Sequence, residues 1–440
     1  MLSVALVMLL IIGFNGILTP IVLFILLCTL GCTLIVVFAK DSQSLKLKLF
    51  LLFFSTYLVY IMIHDYVLIN VNPDYRPIDY IDENTFYHYT FVGLPYISGE
   101  RNFLDIFSVF EINETILHTI ISSSIAYLSV AIDGKNTLIV QKLLSPFLGG
   151  LFSVVLFSTI YSQFQNKNFA VKSTLAYGFL SAVFMYSTTI LRDIDIALLY
   201  MMVFYLFLET QKLKNIFLIG IIAYITMYLR FESGMVLFAL LLLYIYFYVK
   251  ELESKKMKMI FYILFSILSG IVLLLVLPKI IHVVGHLNEA NTTRSISAAS
   301  SGSIGLLLNK LPFPMSYVAK VIFGQMQPFP FFKAIDRPLE VISSVFWPFI
   351  FLMMNYAFIK KDIRKLIDIK IKFLLFIAIA ILFLMSSEPM VRRMMSVYPI
   401  IYLVSLYAFV FISSNKIKKI FYYYLFAMIF ITTLYFFVKG

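Results

Sequence analysis

Long apolar runs alternate with short polar connectors from one end of the chain to the other, and this rhythm predicts helices. Runs of about 17 to 24 apolar residues recur, enough to cross a hydrocarbon core of about 30 Å at about 1.5 Å per residue. A β-barrel would need short alternating segments, which the sequence lacks. The expected fold is therefore all-α, a polytopic transmembrane bundle forming one membrane domain over residues 1–440. Residues 1–39 are too long for one span, and the turn signal Gly13-Phe14-Asn15-Gly16 with Pro20 divides them into a helical hairpin. The first run has no basic flank and no small-residue cleavage site, so it is expected to be a retained span. A third span is expected from about Phe50 to Asn70.

Positive charge sets the orientation. Lys40, Lys46 and Lys48 precede the third span, and basic connectors recur at Lys167/Lys172, Lys212/Lys214, Lys250–Lys258, Lys360–Lys372 and Lys416–Lys419. Placing all of these in the cytoplasm leaves the acidic segment after Val71, together with Arg192, Arg230, Arg392 and Arg393, on the outer side. The run 115–131 would reverse every later connector if it crossed, so the segment from about Asn102 to Lys135 is expected to make no net crossing, lying along or dipping into the outer leaflet as amphipathic helices. Residues 71–136 then form one outer acidic loop with amphipathic helices, and residues 281–339 a second, lid-like outer loop rich in Ser, Gln and Pro. The count is about thirteen spans with the N-terminus inside.

A net charge of +12 is compatible with nucleic-acid binding, but the lysines sit between apolar runs. They orient the chain and meet anionic headgroups, so the partners expected are membrane lipids and no nucleic acid. Cys28 and Cys32 lie four apart in an apolar run, where packing rather than a disulfide or metal site is expected. Nothing in the sequence fixes the oligomeric state.

The densest polar patch is Asp79–Thr90, DYIDENTFYHYT, with Asp74 just ahead of it. In a chain that is 61% hydrophobic, an acid pair such as Asp82-Glu83 at a membrane edge could deprotonate a hydroxyl acceptor or hold a divalent cation through oxygen ligands. A hydrated loop is the plainer reading. Tyr80, Phe86, Tyr87 and Tyr89 fit an interfacial aromatic belt or a sugar-stacking surface, and His88 stands among them. Arg192-Asp193 sits between two apolar runs, where the two residues could simply satisfy each other. Alternatively Arg192 contacts an anionic substrate while Asp193 orients it or acts as a second acid; a planar guanidinium suits phosphate. Arg230 at a tight turn and Arg392-Arg393 after Glu388-Pro389 repeat the theme, although snorkelling anchors explain single arginines. His282 and His286 have helical ligand spacing but no Glu after the first His and no third ligand near them. His64 and His118 are isolated in the sequence. A Gly-rich phosphate loop, a Gly-x-Ser-x-Gly elbow and a Cys/His cluster are all lacking, so nucleotide and zinc hydrolysis by the usual motifs are unsupported.

With Asp82-Glu83 in the first large outer loop, non-crossing helices after it, and Leu191-Arg192-Asp193 following Tyr186-Ser187, the layout resembles the GT-C superfamily of integral-membrane glycosyltransferases. That superfamily includes protein mannosyltransferases and lipid A aminoarabinose transferases. The acidic loop here follows three spans instead of one. The resemblance implies an inverting transfer of a sugar from a polyprenyl-phosphate carrier to a surface glycan, lipid or protein at the outer face of a bacterial inner membrane. It makes Asp82, Glu83 and Asp193 candidate catalytic residues, with Asp82 and Glu83 the ligands of any divalent metal. Arg192, Arg230, Arg392, Arg393, Tyr87 and His88 become candidate substrate-binding residues. Two other readings have distinct signatures. An O-antigen or capsule repeat-unit polymerase would yield a ladder of products. A lipid-linked glycan transporter or flippase would place charges near mid-membrane.

Overall fold

The computed structural model describes residues 1–14, 16–39, 41–64, 80–109, 115–256, 258–259, 261–263, 266, 270, 311–312, 315–325, 338–384 and 394–439. Among these the chain is helical, with no strand. The first hairpin is α1 (Leu2–Phe14) and α2 (Thr19–Phe38), followed by α3 (Gln43–Ile61). Next come α4 (Tyr80–Ile97), α5 (Ile116–Asp133), α6 (Leu138–Lys142) and α7 (Leu144–Phe164). The centre of the chain supplies α8 (Lys167–Leu180), α9 (Ala182–Tyr186), α10 (Asp193–Leu208), α11 (Leu213–Leu229) and α12 (Phe231–Glu251). The last part holds α13 (Met315–Gln325), α14 (Pro338–Ile359), α15 (Lys361–Leu366), α16 (Ile369–Leu384), α17 (Tyr398–Phe411) and α18 (Ser414–Lys439).

By length and composition, 7 of the described helical stretches can cross a membrane: 19–38, 43–64, 116–133, 138–164, 231–251, 338–359 and 414–434. α11 and α17 are shorter apolar helices. The third apolar helix begins at Gln43 rather than near Phe50, which draws Lys46 and Lys48 into its first turns. Lys46 is buried there and Lys48 exposed, and a lysine's aliphatic stem can pack against apolar neighbours. The acidic patch is helix as well, since Asp82 and Glu83 occupy the first turn of α4.

Short connections force neighbouring helices to run antiparallel, which gives the bundle two chemically distinct ends. α2 and α3 pair head to tail, with Phe24 stacked on Phe54 at 5.4 Å and the Phe50 ring against Gly31. α7 lies between α3 and α10, and Tyr57 near the end of α3 donates to Gly178 O near the end of α8 at 2.9 Å. The connections after α7, α10, α12 and α14 therefore share one end. Lys370 pairs with Glu251 at 3.2 Å there, and Lys416 donates to Tyr356 Oη at 3.1 Å. Lys167, Lys212, Lys250 and Lys360 all belong to this lysine end. At the opposite end lie the starts of α2, α7, α10 and α12.

Both ends of α5 touch that opposite end. Asp133, its last residue, accepts from the backbone N–H groups of Leu18 and Thr19 at 2.8 and 2.9 Å and from Thr19 Oγ1 at 2.6 Å. His118, near its start, meets Asp195 at the start of α10.

An aromatic stack joins α8, α14 and α17 in the core. Trp347 lies 3.8 Å from Tyr398 and 5.6 Å from Tyr177, while Tyr402 donates to Ser173 O at 2.8 Å. α18 is exposed over almost its whole length, as an apolar helix facing lipid would be.

Candidate functional site

The end opposite the lysines gathers charged side chains from five segments. Glu83 sits in the first turn of α4, where the helix dipole favours a carboxylate. Its Oε2 accepts from Lys142 Nζ at 2.9 Å, and its Oε1 accepts from the Ile190 backbone N–H at 3.1 Å. Both side chains of the pair are 2% exposed, so two full charges have been taken out of water. Such a pair persists only if each partner remains satisfied, because removing one strands the other. Glu83 thereby ties α4, α6 and the connection before α10 together.

That connection is held from below. Ser145 Oγ donates to Thr189 O. Gly149 lets α7 approach so closely that a Cβ there would overlap the side chains of Ser187 and Tyr57. The chain then turns into α10, whose first turn carries Asp193 and Asp195.

Asp193 and Arg192 do not satisfy each other locally. Asp193 Oδ1 accepts from Arg230 Nη2 at 3.1 Å, with the Arg230 side chain 16% and that of Asp193 4% exposed. Arg230 is the single extended residue between α11 and α12. Arg192 Nη1 instead donates to Leu229 O at 2.6 Å, at the C-terminal end of α11 where a cation is favoured. The Arg192 guanidinium also lies 5.9 Å from the centroid of the Phe86 ring, within cation–π range. Phe86 in turn meets the His118 ring edge-on at 5.3 Å.

His118 is the least expected member. Its Nδ1 lies 3.1 Å from Asp195 Oδ2, and the residue is 5% exposed. A carboxylate accepts, so Nδ1 donates in this contact, and in the neutral ring Nε2 then presents its lone pair. Nε2 is buried with no hydrogen-bond partner among the described residues.

Of the residues singled out in the sequence, Glu83, Arg192, Asp193 and Arg230 come together here. Asp82 is half-buried beside Glu83. Tyr87 is half-buried and its hydroxyl donates to Asn136 O at 3.1 Å, while His88, on the same helix, is exposed. Arg392 and Arg393 lie outside the described residues, as do His282, His286, Asp74, Asp79 and most of 281–339. A divalent cation does not fit Glu83, whose two oxygens already face an ammonium and an amide N–H. Among the described residues no three His, Cys, Asp or Glu side chains converge as a metal site.

Lys142, His118 and Asp195 escaped sequence reasoning. One signal was legible: an ionisable side chain inside an apolar run needs a partner, and both Lys142 and His118 occupy such runs. No protein-family model, curated protein or solved structure matches the chain.

Proposed function

We propose that the protein is an integral-membrane glycosyltransferase that moves a sugar from a polyprenyl-phosphate carrier to a hydroxyl of a surface glycan, lipid or protein on the extracytoplasmic side. The observation that carries this reading is the assembly of Glu83, Arg192, Asp193 and Arg230 at the end of the bundle away from the lysines. By the positive-inside rule the lysine end is cytoplasmic. The site then faces outward, with about thirteen spans in all and α5 lying along the outer leaflet without a net crossing.

In this reading Arg192 and Arg230 receive the phosphate of the carrier. Its charge grows as the glycosidic bond breaks, and fixed guanidinium groups in a site shielded from water stabilise that charge where it develops. Asp193 positions Arg230, and Phe86 holds the Arg192 guanidinium in place. Glu83, with both oxygens engaged, positions the segment that carries Arg192. Charges collected at one end rather than at mid-bundle favour this over transport.

The test is analysis of envelope glycans and lipids from cells carrying Asp82→Ala, Glu83→Ala or Arg192→Ala protein that still inserts. Each variant is expected to lose the product. Normal product from an Asp82→Ala/Glu83→Ala double variant overturns the reading, and a ladder of repeats instead of a single added sugar identifies a polymerase.

A further inference from the structure

We infer that His118 and Asp195 form the acid–base dyad of this site, with His118 Nε2 taking the proton from the acceptor hydroxyl. The inference rests on the sugar-transfer reading and gives the site a base other than Glu83, whose buried carboxylate is held by the Lys142 ammonium and the Ile190 N–H.

Three observations place the dyad in the site. The first is the bond from Nδ1–H to Asp195 Oδ2 at 3.1 Å, which fixes the tautomer and the ring orientation. Second, Nε2 is left buried and unpartnered, a state that costs free energy unless another molecule supplies its hydrogen bond. Third, His118 and Arg192 meet the same ring, Phe86, at 5.3 and 5.9 Å, so one side chain bridges the imidazole and the guanidinium assigned to the phosphate. The charged groups on the surrounding elements are Asp82 and Glu83 on α4, Lys142 on α6, Arg230 between α11 and α12, and Arg192, Asp193 and Asp195 at the start of α10. Glu83 pairs with Lys142 and Asp193 with Arg230, which leaves Asp195 to hold the imidazolium formed on proton transfer.

The step balances without a further reactant. The acceptor oxygen forms a bond to the anomeric carbon as the bond from that carbon to the phosphate oxygen breaks, and the electron pair leaves with the polyprenyl phosphate. The hydroxyl proton passes to Nε2, and the imidazolium then releases it to water or to the departing phosphate. Proton transfer of this kind contributes about a hundredfold or more to rate.

Polyprenyl phosphate is the common product of every donor in this class, so undecaprenyl phosphate itself is the probe. In the full-length protein in lipid nanodiscs with nitrogen-labelled histidine, His118→Gln assigns the His118 resonances. The expected spectrum has Nδ1 protonated and Nε2 unprotonated, with Nε2 moving on addition of undecaprenyl phosphate and Nδ1 staying. With undecaprenyl-phosphate-linked sugar as donor, His118→Gln is expected to lose transfer about a hundredfold or more while undecaprenyl phosphate retention is unchanged. Asp195→Asn, which keeps the shape of the side chain, is expected to mix the tautomers and to lower transfer in the same way, so the inference is open to refutation even if His118→Gln fails to fold. Binding of undecaprenyl phosphate that weakens in Arg192→Ala but leaves the His118 resonances unmoved overturns the dyad and spares the sugar-transfer reading. Absence of binding to the wild-type protein overturns both.

Discussion

The two ends of the bundle handle charge in opposite ways. At the lysine end the Lys212–Glu209 pair, at 3.2 Å, stays in water, with side chains 44% and 37% exposed. At the other end Glu83 and Lys142 are buried outright, and Asp193 nearly so. Solvated lysines need no partner and can orient a chain at little cost, whereas buried charges are tolerated only within a closed set of bonds. Sequence composition cannot tell these cases apart, because a lysine is one letter in both. What separates them is whether a distant segment brings the opposite charge.

The contrast is tested most severely at Glu83. Glu83→Ala leaves the Lys142 ammonium buried without its partner and is expected to destabilise the protein by about 3 to 5 kcal/mol, read as a fall in the thermal midpoint in detergent. A Glu83→Leu/Lys142→Met double variant is expected to recover most of that stability. Recovery by the double variant shows that the pair adds little net stability over well-packed apolar side chains.

A smaller loss is expected from Gly149→Ala. The added methyl collides with Ser187 and Tyr57 and pushes the connection that carries Arg192, for about 1 to 3 kcal/mol by the same measurement. Asp133→Ala removes three hydrogen bonds from the start of α2 and is expected to cost about 1 kcal/mol, with faster hydrogen exchange at Leu18 and Thr19. Lys212→Ala is expected to stay within about 0.5 kcal/mol of wild type. Sidedness is checked with single cysteines at positions 135 and 256 in a chain with Cys28 and Cys32 replaced. An impermeant maleimide added outside cells is expected to label the first and not the second.

Much of the helical framework was legible because apolar length and turn signals are local properties. The first hairpin falls where Gly13–Gly16 and Pro20 place it, and Arg230 marks the turn between α11 and α12. The start of α3 was misplaced by several residues because lysine reads as a boundary even where its stem packs inside. Half of the candidate site could be anticipated, since Glu83, Arg192, Asp193 and Arg230 are conspicuous among apolar neighbours. Their pairing could not. Asp193 reaches across 37 residues to Arg230, and Glu83 across 59 to Lys142, and nothing local in the sequence specifies either partner. His118 was passed over because it has no polar neighbour of like chemistry within its own run; its carboxylate is 77 residues away.

The Asp133 clasp on the first hairpin has a mechanical consequence. About 22 Å of continuous helix separates that clasp from His118, and a helix transmits axial displacement with little compliance. The hairpin exposes much of its apolar surface, so a change in bilayer thickness that tilts it is expected to draw on the far end of the rod. A tilt of the hairpin would then be felt at His118 through α5.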